Sequence, residues 1–194
     1  GGNATDANNA NFIGNGAGYN AFNAQSSNFI GYQAGLSASG ATNSNFIGYG
    51  AGDNAINAEG SNFIGFLSGA YAYYAINSNF LGEGAGAGAT NASGSTFLGT
   101  NAGNGATFAD YSNFIGRYAG YGATGASYSN FIGYDSGINA TASTQSIAIG
   151  TMAMNNAYTA PNTIAIGYRA AYNDIVNNTT GGTSIVIGYN AGTG

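Results

Sequence analysis

The sequence predicts an all-β fold, a parallel β-solenoid (a β-roll) of about ten laps. Three observations predict it. A short motif, Ser44-Asn45-Phe46-Ile47-Gly48, returns with changes along the whole chain. Its closing glycine stands at Gly14, Gly31, Gly48, Gly65, Gly82, Gly99, Gly116, Gly133, Gly150 and Gly167, each step being 17 residues. Bulky residues keep fixed positions relative to that glycine. A fixed period in the 20-residue range marks units that stack on their neighbours. An eleventh copy closes at Gly188, after a step of 21.

The residues before the glycine read as a short strand bounded by a turn residue. Two before it stands an aromatic in eight copies: Phe12, Phe29, Phe46, Phe63, Phe80, Phe97, Phe114 and Phe131. The last three copies carry Ala148, Ala165 and Val186 instead. The residue just before the glycine is always branched: Ile13, Ile30, Ile47, Ile64, Leu81, Leu98, Ile115, Ile132, Ile149, Ile166 and Ile187. Successive side chains on a strand point to opposite faces. The phenylalanines therefore form the coil core, and the Ile/Leu column points out of the coil. Such an apolar stripe is seldom left in water, which makes it the candidate packing surface between chains. The alternative places these residues at a corner, folded back inside.

The second half of each repeat is small and polar. Alanines recur seven and ten after the glycine, as at Ala55 and Ala58. Offsets of three, seven and ten also fit one helical turn. The intervening Gly, Asn and Thr disfavour a helix, so strand and tight turn is expected, with alanines facing a narrow interior. An odd period demands at least one break in strand alternation per lap. The two glycines of each repeat supply it without steric cost. By motif the chain divides into residues 1–145, with Asn-Phe-Ile-Gly repeats, and residues 146–194, with Ser-Ile-Ala-Ile-Gly type repeats continuing the same solenoid. The extra four residues of the last step predict an inserted loop near 174–183.

Three further columns bear on function. Asn recurs three before the glycine (Asn11, Asn28, Asn45, Asn62, Asn79, Asn113, Asn130), with Thr96 interrupting. Stacked amides hold register; sugar binding is the other use of such a row. Aromatics follow the glycine at Tyr32, Tyr49, Phe66, Tyr134, Tyr168 and Tyr189. Those tyrosines, with Asn177 and Asn178 of the loop, are the candidate contact surface for a glycan or protein. Stacking along the coil or across a subunit boundary explains the same tyrosines. Thr90, Thr107, Thr124 and Thr141 align eight after the glycine. A flat threonine array suits ice binding, but one column of four beside Ile56, Tyr73 and Tyr158 is narrow for it.

Composition removes several functions. The net charge is −5, with Arg117 and Arg169 the only basic residues. That excludes a nucleic-acid binder, which needs a basic footprint. There is no Cys and no His, so disulfides, ordinary zinc sites and histidine-based catalysis are out. The seven acids are dispersed, so neither a calcium row nor a glycosidase pair recurs. No catalytic, cofactor or metal site is expected. The absence of an 18-residue apolar run speaks against a membrane-inserted helix. With no initiator Met or charged apolar leader, the chain is expected to be a mature or excised piece.

The last copies, Ser146-Ile147-Ala148-Ile149-Gly150 and Thr163-Ile164-Ala165-Ile166-Gly167, resemble the head repeat of YadA-like trimeric autotransporter adhesins. Ser184-Ile185-Val186-Ile187-Gly188 fits nearly as well, and the Asn-Phe-Ile-Gly copies look like a widened version. The resemblance implies a left-handed β-roll, a homotrimer and a bacterial cell-surface, extracellular adhesin head that attaches to host matrix proteins or surfaces. This chain departs from the family in its longer period and in Phe at the inner position, and the two agree, since a longer lap encloses more room. The second expectation is a structural protomer of an extracellular filament or phage-type fibre shaft, polymerising end to end. Particles of fixed length would favour the first, and indefinite fibres the second.

Overall fold

A computed structural model describes residues 1–174 and 183–193. The chain is an all-β solenoid of about ten turns. Its strands are β1 (Asn11–Ile13), β2 (Asn28–Ile30), β3 (Asn45–Ile47), β4 (Asn62–Ile64), β5 (Asn79–Leu81), β6 (Thr96–Leu98), β7 (Asn113–Ile115), β8 (Asn130–Ile132), β9 (Ile147–Ile149), β10 (Thr163–Ile166) and β11 (Ser184–Ile187). They form one parallel sheet in sequence order. Every pairing is in register, and from β1 to β8 it sets Phe on Phe and Ile or Leu on Ile or Leu, as in Phe46↔Phe63 and Ile47↔Ile64. The register runs unbroken across the change of motif, with Phe131 opposite Ala148. No helix occurs among the described residues, and none there is long and apolar enough to cross a membrane.

Each lap closes by turning repeatedly in the left-handed backbone region. After Gly48 these turns fall at Gly50, Gly52, Asn54, Asn57 and Gly60, with φ of 60°, 64°, 53°, 54° and 67°. The expected break in alternation is thus five breaks, and many of them are not at glycine. Asparagine tolerates this region better than most residues because its short side chain bonds locally. That accounts for the asparagines scattered through the second half of each repeat.

The interior is a column of rings facing alanines. Phe29, Phe46, Phe63, Phe80, Phe97, Phe114 and Phe131 are fully buried. Their centroids lie 4.6–4.9 Å apart with planes within 5° of parallel. Each ring contributes roughly 1.5–3 kcal/mol by burial. Phe12 belongs to the same column but is only half-buried and tilts by 30° against Phe29, because β1 is covered by a neighbouring strand on one side only. The core therefore holds seven fully enclosed rings rather than eight. Alanines three, seven and ten after the anchor glycine, such as Ala51, Ala55 and Ala58, line the opposite wall and are fully buried.

A buried serine in most laps stitches the coil internally. Ser44 donates to the carbonyl of Ala58 at 2.6 Å and accepts from the backbone N–H of Ser61 at 3.2 Å. The serine thus satisfies a backbone carbonyl and a backbone donor that the narrow interior shuts off from water.

Candidate interaction surface

The outward face of the sheet is built from two strand positions. Three before the anchor glycine, the asparagines form an amide row. Nδ2 of Asn11, Asn28, Asn45 and Asn62 each donates to Oδ1 of the next lap's Asn at 2.7–2.8 Å. After Thr96 the row resumes between Asn113 and Asn130 at 2.8 Å. Asn28, Asn45 and Asn62 each spend both a donor and an acceptor on their neighbours in the row, so its first role is to hold register.

One before the glycine, the branched residues project from the coil. Exposure runs from 36% at Ile47 to 64% at Ile187, with Ile13, Ile64, Leu98, Ile132, Ile149 and Ile166 between these limits. Ile30, Leu81 and Ile115 are half-buried in the same column. None is folded back among the rings. The column crosses all eleven strands, about 48 Å at the strand spacing, and no other part of the described chain closes over it.

The position after the glycine, where each strand has ended, forms a further exposed column. Tyr32 stacks on Tyr49 at 4.9 Å and Tyr49 on Phe66 at 5.2 Å. Tyr168 stacks on Tyr189 at 5.1 Å. Tyr134 stands apart from both groups, beside Arg117. Glu83 and Arg117 occupy the same column and both are exposed. The tyrosines proposed from the sequence thus fall into three groups along one column. Asn177 and Asn178, and the inserted loop with them, lie outside the described residues.

Sequence reasoning passed over the surroundings of the two arginines. The Arg117 guanidinium lies 4.6 Å from the ring centroid of Tyr118 and 5.6 Å from that of Tyr134. Arg169 lies 5.3 Å from Tyr168 and 5.0 Å from Tyr172. Such placements are cation–π contacts. The signal was present as the pairs Arg117-Tyr118 and Tyr168-Arg169 beside an anchor glycine. Asp135, one lap beyond Tyr118, keeps a buried Oδ1 with no hydrogen-bond partner. Burial pushes its carboxyl above the ordinary value, and the nearby Arg117 charge pulls it part of the way back.

Elsewhere, the positions eight after the glycine pair lap to lap as single parallel bridges, through Ile56, Tyr73, Thr90, Thr107, Thr124, Thr141 and Tyr158. The threonines form four successive rungs, with aromatics at either end. Tyr111 stacks on Tyr128 at 5.3 Å on another edge of the coil. Among the described residues the surface has no pocket, and no group of three acids gathers to hold a metal. What this surface offers chemically is area: a long apolar and aromatic stripe, bordered by amides as far as Asn130. Compared with known protein families the chain matches none, and no curated protein matches it.

Proposed function

We propose that the chain is a non-enzymatic extracellular repeat protein, structural and adhesive, that works as an assembly of copies joined through the Ile/Leu column. The observation that carries this is a branched apolar column that runs over eleven strands, exposed at eight of them and half-buried at three. Soluble single chains rarely leave an apolar patch of several hundred Å² in water. In this proposal the amide row fixes register, and the aromatic groups on the flank meet a protein or glycan ligand at a cell surface. The repeat motif's resemblance to surface adhesin heads supports the same assignment.

Light scattering coupled to gel filtration tests the assembly. A mass at a whole multiple of the 19.2 kDa chain is expected at micromolar concentration, and a persistent single chain refutes it. Attachment of coated beads to matrix proteins tests the adhesive part. Tyr49→Ala and Tyr134→Ala should each weaken attachment with the circular dichroism unchanged. Unaltered attachment removes the tyrosines from the ligand site. Electron microscopy separates this proposal from a filament shaft, which would give fibres of indefinite length.

A further inference from the structure

Three pairs of residues in the column after the anchor glycine are alike or complementary about Thr100. One lap to either side of it stand Glu83 and Arg117. Two laps out stand Phe66 and Tyr134, and four laps out stand Tyr32 and Tyr168. The strand row shares the centre for two laps, with Thr96 interrupting the amides and Asn79 and Asn113, then Asn62 and Asn130, on either side; farther out Asn45, Asn28 and Asn11 are matched by Ile147, Ile164 and Ile185. We infer that the occupant of this face is a second copy of the chain lying antiparallel, related by a two-fold axis along the strand direction through β6.

Three laps out the column sets Tyr49 against Thr151, and five laps out Asn15 against Tyr189. Geometry then fixes what meets what. Turning one copy about the strand direction reverses the laps but keeps each column opposite itself. Leu98 meets Leu98 at the axis, and the Ile column packs on the Ile column. Glu83 of each copy faces Arg117 of the other, twice over. Phe66 faces Tyr134, and Tyr32 faces Tyr168. All eleven described strands overlap. A parallel pair instead sets the aromatic column against the amide row, with Glu83 opposite Asn79. Any parallel ring of copies brings Arg117 to the height of Arg117 and Glu83 to that of Glu83, gathering like charges.

The area suits the pairing. The face spans about 48 Å along the coil, and three outward columns spaced by two residues give roughly 17 Å of width with their side chains. That is about 800 Å² from each copy, the usual share of a specific interface. This inference rests on the proposal that the Ile face is covered by another copy.

The test uses the absence of cysteine in the chain. Single Cys variants are made at Leu98, Ile30 and Ile166, all on the outward column, and oxidised at micromolar concentration. The antiparallel pair predicts that Leu98→Cys cross-links to itself, that Ile30→Cys and Ile166→Cys alone do not, and that an equimolar mixture of those two does. Self-cross-linking by all three overturns the antiparallel arrangement and leaves assembly through this face standing. No cross-link with a single-chain mass overturns both. Charge exchange reads the same contact in folded protein: Glu83→Arg and Arg117→Glu should each weaken self-association about ten-fold or more, and the double variant should recover to within about three-fold. Failure of the double variant to recover sinks the pairing of these two residues.

Discussion

The ring of Phe131 lies directly over Gly137, so close that a Cβ on that glycine would run into Cδ2 of the ring. One lap further the same space is filled from the opposite wall: Ala148 replaces the ring, and the residue matching Gly137 is the fully buried Met154. In the next lap the pair is Ala165 and Ala171, both buried. Bulk has moved from one wall to the other while the coil kept its register. Phe131→Ala should therefore cost about 3–5 kcal/mol, read as a fall in thermal midpoint. Phe131→Ala with Gly137→Met should recover much of the loss, since Met154 accepts φ of 52° at the same position. A double variant no more stable than the single one would show that the exchange does not transfer between laps.

The period, the strand positions, the inward Phe and the outward Ile were all legible in the sequence because they depend on two-residue alternation beside a fixed glycine. The exchange between Phe131 and Met154 was not, because those residues lie on opposite walls and share no local spacing. The left-handed turns at Asn54 and Asn57 were also missed: the asparagines were visible, but their backbone need appears only once the lap is closed. The surface was half legible. Tyr32 and Tyr49 were recognised as a column, whereas the pairing of Arg117 with Tyr118 and Tyr134 depends on side-chain reach across laps.

Two glycines of one repeat should respond very differently to the same change. A Cβ on Gly82 would lie 2.7 Å from the backbone oxygen of Gly99 and 2.8 Å from its carbonyl carbon. That backbone is fixed by its own lap-to-lap hydrogen bonds and cannot move aside. A Cβ on Gly88 meets nothing within 4 Å, and only its φ of 65° opposes the change. Gly88→Ala should cost about 1–2 kcal/mol, and Gly82→Ala considerably more, with loss of cooperative melting. Equal midpoints for the two would refute the steric argument.

The buried serines should matter beyond their size. Ser112 donates to the carbonyl of Ala126 at 2.7 Å and accepts from the N–H of Ser129 at 3.1 Å. Ser112→Ala leaves two backbone groups unpaired in a dry interior. The expected cost is about 1–3 kcal/mol for each buried group left without a partner, measurable as a lower urea midpoint. Ser127→Ala, whose hydroxyl bonds the carbonyl of Phe108 at an exposed site, should cost less than about 1 kcal/mol. Water can replace that bond.

Asp135 should respond to pH in a direction set by burial. Its carboxyl sits above the ordinary 3.8, with burial the larger cause and Arg117 opposing it. The folded chain therefore holds this proton more readily than the unfolded one. The site is least costly below the ordinary carboxyl range and becomes destabilising as pH rises through the raised value. Asp135→Asn removes the charge and leaves a similar shape. At pH 7 it should melt above the parent chain, by on the order of one degree, because solvent screens much of the effect. At pH 3, where the parent carboxyl is already protonated, the two midpoints should converge. A variant that melts lower at pH 7 would mean that attraction to Arg117 outweighs the cost of burying the carboxylate.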